Sequence, residues 1–149
     1  MKKAIAVIAV VVVMLGAWAY LGERFYMNGS DAEYEEGRAY AEETMVAIMS
    51  AWDASALQQR ASAELLKTRM GTEADVFCSR NTSMLGPLVQ YGDIGGYARR
   101  YYTLTHGKLL RGDYSFDVEF QRLKAAVVVS VEKKSGSWKL AMLECRQKR

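Results

Sequence analysis

The sequence predicts an α+β domain, helices packed on a curved antiparallel sheet, preceded by one N-terminal transmembrane helix. Three observations carry this. From Tyr114 to Gln121, apolar Tyr114, Phe116, Val118 and Phe120 alternate with polar Ser115, Asp117, Glu119 and Gln121, the two-residue period of a strand with one buried face. Upstream, Tyr34, Ala41, Met45, Ile48 and Trp52 recur at the spacing of one helical stripe. At the start, Ala4 to Gly22 is an uncharged apolar run behind Lys2 and Lys3, close to the roughly 20 residues that a bilayer-spanning helix needs.

The carboxy-terminal third reads as a meander. After the alternating strand, Ala125 to Val131 is valine-rich and less alternating, as expected of a central strand covered on both sides. Lys133 to Ser137 supplies a turn, and Trp138 to Cys145 returns as the last strand. One apolar face of this sheet needs helical cover. Ser30 with Glu33 forms a capping box that starts a helix at Asp31. Gly37 inside that helix costs about 1 kcal/mol relative to alanine. Asp53 to Met70 reads as two shorter helices separated by a Ser62 cap, with Leu57 and Ala61, then Leu65, Leu66 and Met70, facing inward. Gly71 stops the second piece, a third helix runs from Glu73 to Leu85, and Gly86-Pro87 ends it. From Leu88 the period weakens: a short strand to Ile94, a turn at Gly95-Gly96, and a strand from Tyr97 to Thr105 closed by His106-Gly107.

The amino terminus bears on compartment. Two basic residues before the apolar run and the compensated pair Glu23-Arg24 after it favour a cytoplasmic amino terminus. Residues 28–149 are then an exported domain behind a signal-anchor and junction, 1–27. Trp18, Tyr20, Phe25 and Tyr26 have the composition of an interfacial aromatic belt. Ala17-Trp18-Ala19 also fits a signal-peptidase site, so a secreted or periplasmic product cleaved after Ala19 is the competing reading.

Helical cover, the segment Leu85-Gly86-Pro87-Leu88, and a meander finishing in Ser137-Trp138-Lys139-Leu140 resemble the NTF2-like, cystatin-related cone fold. Gly37 to Ile48, Trp52-Asp53, Ala61-Ser62 with Glu64-Leu65-Leu66, and Phe116 to Phe120 look like the uncharacterised bacterial envelope members of that superfamily. The resemblance covers about residues 30 to 147. It implies a sheet curled around an apolar pocket that different members fill, use for ligands or use for catalysis, and at fold level it carries little chemistry.

Composition excludes several functions. The net charge is +3, of which Lys2 and Lys3 supply most, so no concentrated basic footprint marks nucleic-acid binding. Two cysteines and one histidine fall short of the four nitrogen or sulfur ligands of a structural zinc site, which disfavours metal chemistry. No cofactor is expected. Cys78 and Cys145 are an even pair in an exported domain, which favours a disulfide contributing about 4 kcal/mol by loop entropy over two buried thiols. His106 before Gly107 reads as a turn residue, and Asp117 with Glu119 as solvated surface. The most unusual local composition is aromatic and basic: Tyr91, Tyr97, Arg99, Arg100, Tyr101, Tyr102, Lys108 and Arg111. In an envelope protein this is a candidate surface for anionic lipid, cell-wall polymer or protein, its alternative being a charge-protected edge strand. The leading function is a non-enzymatic binding or assembly module anchored in the cytoplasmic membrane. The alternative is a small apolar-ligand pocket protein, or a catalytic one. Trp52, Phe77, Phe116 and Phe120 filling the cone would favour the first, and an occupied, polar-lined pocket the second.

Overall fold

The computed structural model describes residues 8, 10–17, 26–103 and 107–148. A short strand β1 (Tyr26–Asn28) precedes the helices α1 (Asp31–Met49), α2 (Ala54–Arg60), α3 (Ala63–Lys67), α4 (Arg69–Thr72) and α5 (Ala74–Met84). Four long strands follow: β2 (Leu88–Thr103), β3 (Gly107–Phe120), β4 (Lys124–Lys133) and β5 (Trp138–Gln147). The sheet is curved and antiparallel throughout, in the order β1-β2-β3-β4-β5. The fold class is α+β, and β1 lies across the expected boundary between residues 27 and 28.

Among the described residues no helix is long and apolar enough to cross a membrane. Residues 10–17 are helical, and the apolar side chains from Val10 to Leu15 are exposed. The rest of the uncharged run, apart from Ile8, lies outside the described residues.

The helices cover one face of the sheet. Ser30 and Glu33 form the expected capping box: the Glu33 amide donates to Ser30 Oγ at 3.2 Å and the Ser30 amide to Glu33 Oε2 at 3.0 Å. From this start α1 crosses β2, β3, β4 and β5, burying Ala41, Met45 and Ile48 completely. Residues Leu110, Tyr114, Phe116, Val118 and Phe120 of β3, and Ala125, Val127, Val129 and Val131 of β4, point at the helices.

Trp52 closes the interior just after α1. Its backbone is left-handed (φ 49°), costing roughly 1 kcal/mol. The turn lays the indole, 4 % exposed, over Phe120 at 5.6 Å and edge-on to Phe77 at 6.2 Å. Its Nε1 donates to the Gly86 carbonyl at 2.7 Å.

Tyr114 is the second organising side chain. It is fully buried, and its hydroxyl donates to the Tyr34 carbonyl in the first turns of α1 at 2.9 Å. Three glycines make room for it: a Cβ at Gly37 or Gly112 would collide with the Tyr114 side chain, and one at Gly96, its cross-strand partner, with the adjoining β3 backbone and the ring. Gly37, an unfavourable residue by helix propensity, is there because α1 must approach Tyr114 and Trp138 closely.

Several expectations are corrected. Gly95-Gly96 is not a turn: β2 runs unbroken through both residues, paired with Ser115 and Tyr114. Helical cover of β4 is one-sided, so Ala126, Val128 and Ser130 lie on the face away from the helices. Gly71 does not stop a helix but lies buried in α4, where a Cβ would run into the Leu65–Leu66 backbone. Leu66 is exposed rather than inward. Ser62 caps α3 as expected, accepting from the Leu65 amide at 3.1 Å.

Candidate interaction surface

A strand separates its side chains by parity, and β2 divides the aromatic-basic segment accordingly. Register pairs Arg100 with Leu110 and Tyr91 with Val118, placing them on the helix side. Arg100 Nε lies 2.7 Å from Glu33 Oε2 and Lys108 Nζ 3.5 Å from Glu33 Oε1, while Tyr91 donates to Glu42 at 2.7 Å. These residues fasten α1 to the sheet, and with Tyr102 they form no single surface with the others. Burial works to raise the Glu33 carboxyl, but hydrogen bonds from Arg100 and the Ser30 amide, with the charges of Arg100 and Lys108, hold it below 4.5. A lowered carboxyl stabilises the fold above its unfolded value and loses that contribution as pH falls through the folded one. Glu33→Gln is therefore expected to lower the melting temperature at pH 7. The gap from the parent should narrow as pH drops below about 4.5, a trend that melting curves across pH check.

The other half faces away from the helices. Tyr97, Tyr101, Leu109, Arg111, Asp113, Val128 and Met142 line an open groove of about 560 Å³ across β2, β3, β4 and β5. Arg99 lies over the Tyr97 ring, its guanidinium carbon 4.1 Å from the centroid. Asp113 accepts a hydrogen bond from the Ser130 hydroxyl and lies 3.6 Å from Arg111; its charge is the main influence raising the Tyr97 phenol. The groove thus has an apolar floor, tyrosine walls and a guanidinium beside a held carboxylate, features suited to binding. Leu109, Asp113, Val128 and Met142 line it without belonging to the aromatic-basic segment. Their sequence signal is parity, which becomes usable once β2, β3, β4 and β5 are aligned.

The remaining candidates fall apart from this groove. Asp117 pairs with Lys148 at 2.8 Å, and Glu119 with Lys124 at 3.6 Å, as surface ion pairs. His106 lies outside the described residues. Among the described residues no group of histidine, cysteine and carboxylate side chains is placed to hold a metal.

The expected disulfide is not formed: Cys78 and Cys145 are both free thiols. Cys78 is buried on α5, which packs on α2 and α4, whereas Cys145 is on β5, whose helical neighbours are α1 and α3. A bridge requires Cα atoms within about 7 Å. Burial raises the Cys78 thiol and pushes Cys145 up to about 12, which suppresses the reactive thiolate. Ellman's reagent at pH 8 is expected to find almost no thiol in the folded protein and two equivalents after unfolding without reductant. A disulfide-linked chain would yield none in either state.

Comparison with known proteins gives no match: no family model, no curated protein and no solved structure is similar to the chain at a significant level.

Proposed function

We propose that this chain is a non-enzymatic binding or assembly module of the bacterial cell envelope, of the NTF2-like type, anchored in the cytoplasmic membrane by residues 4–22 with its α+β domain outside. The observation that carries the non-pocket part is the filled interior. Trp52, Tyr114, Phe116 and Phe120 occupy the space between helices and sheet, each almost or completely buried, with Phe77 packed against them. A ligand of any size would have to displace them, and close-packed interiors resist that. Binding is therefore assigned to the surface, where the groove around Tyr97, Arg111 and Met142 offers aromatic and guanidinium groups of the kind that dominate interfaces. The anchor rests on the uncharged run, its flanking charges and the exposure of Val10 to Leu15.

Expression of the full chain in a bacterium tests the placement. The protein is expected in the membrane fraction after alkaline carbonate extraction, with the domain digested by protease added to spheroplasts. Release into the soluble fraction, or protection from external protease, would refute it.

A further inference from the structure

The pairing of β1 fixes which end of the domain meets the chain segment that precedes it. Tyr26 pairs with Tyr101, and Asn28 with Arg99, antiparallel, so the chain reaches Tyr26 from the side of the β2–β3 hairpin tip. Only Glu23, Arg24 and Phe25 separate Tyr26 from the end of the uncharged run at Gly22, a reach of at most about 14 Å. The Thr103–Gly107 end of the β2–β3 pair is thus held close to wherever that run enters a bilayer. By contrast, Glu119 and Lys124 at the other end of β3 and β4 lie about 35 Å away along the strand.

The composition of the tip suits such a neighbour. From Tyr97 to Asp113 the sequence carries Arg99, Arg100, Lys108 and Arg111 and one carboxylate, Asp113, which lies 3.6 Å from Arg111 on the face away from the helices. Arg100 and Lys108 share the single carboxylate of Glu33, so positive charge remains in excess. Tyr102 is 44 % exposed and pairs across the strands with Lys108, whose side chain is 54 % exposed, while Met27, paired with Arg100 on the same face, is 47 % exposed. Tyrosine and lysine beside an apolar side chain are the residues that settle at a membrane–water interface. We propose that the end of the β2–β3 pair marked by Tyr102 and Lys108, with Met27 on the neighbouring strand β1, docks on the anionic phospholipid headgroup layer of the membrane that residues 4–22 enter. This docking rests on the anchored reading above. It holds the sheet end-on to the bilayer, with the Glu119–Lys124 end outermost and the groove facing sideways, open to a partner.

The test uses the full chain in phosphatidylcholine nanodiscs with and without phosphatidylglycerol, carrying a nitroxide at Tyr102→Cys or Lys124→Cys. Cys78 and Cys145 should take up no label, which the unsubstituted chain checks. Power-saturation measurements with oxygen and a nickel chelate are expected to place the Tyr102→Cys label at headgroup depth only when phosphatidylglycerol is present. The Lys124→Cys label is expected in water in both lipids. Lys108→Gln, its folding verified by melting, should abolish the dependence on phosphatidylglycerol. A Tyr102→Cys label in water in both lipids, on a chain that resists carbonate extraction, overturns the docking and leaves the anchor standing. A chain released by carbonate removes the anchor and the docking together. Spin–spin broadening at the Tyr102→Cys label that ignores lipid composition assigns the tip to a second copy and overturns the lipid assignment.

Discussion

Replacing Trp52 with alanine is expected to lower the unfolding free energy by about 4 kcal/mol, the middle of the range for deleting a buried aromatic. Three losses combine. The indole is stacked at 26° on Phe120 and set at 73° to Phe77, so its removal opens a cavity between α1, α5 and the end of β3. The Gly86 carbonyl loses its 2.7 Å donor in a buried position, and an orphaned buried acceptor costs about 1–3 kcal/mol. The contacts that offset the left-handed backbone at residue 52 also vanish. Urea denaturation of the full chain in detergent measures the total, and Trp52→Phe isolates the hydrogen bond, with an expected loss of about 1–2 kcal/mol. A loss below about 1 kcal/mol for Trp52→Ala would mean that the interior can close over the gap, contrary to the close packing described.

Gly37→Ala is expected to destabilise the protein by about 1–2 kcal/mol, opposite in sign to the gain of about 1 kcal/mol that helix propensity alone assigns to it. The added Cβ meets the Tyr114 hydroxyl and lies 3.0 Å from the Trp138 ring. The phenol cannot easily retreat, because its ring lies against Gly112 and Gly96 and its hydroxyl is bonded to the Tyr34 carbonyl. A double-mutant cycle distinguishes the steric cause from a general weakness of α1. Tyr114→Phe removes the colliding oxygen, so Gly37→Ala should cost less in that background. The same penalty in both backgrounds would contradict the glycine-cage account.

The long amphipathic elements were readable before the structure because their periods are local. The α1 stripe, the Ser30–Glu33 box, the Ser62 cap and strands β3, β4 and β5 all follow from residues a few positions apart. What stayed hidden depends on neighbours distant in sequence. Gly95-Gly96 has turn composition, yet the strand continues there because Gly96 must lie against Tyr114. A turn at Gly95-Gly96 would break the parity that separates Tyr97, Arg99 and Tyr101 from Arg100 and Tyr102, and only the unbroken β2 splits the aromatic-basic segment between two faces. The strand β1 has three residues and no period. The even cysteine count fits the exported compartment but places neither α5 nor β5, so it could not establish a bridge.

The groove and the hairpin tip matter only if the domain acts through its surface. Native mass spectrometry of the full chain released from detergent micelles tests this most directly. The bare polypeptide or the polypeptide with phospholipid is expected, with phospholipid retention reduced in Lys108→Gln. A reproducible adduct lighter than a phospholipid, retained by the parent chain and by Lys108→Gln but lost from a still-folded variant altered only at Trp52 or Phe116, would place a ligand inside the cone and contradict it.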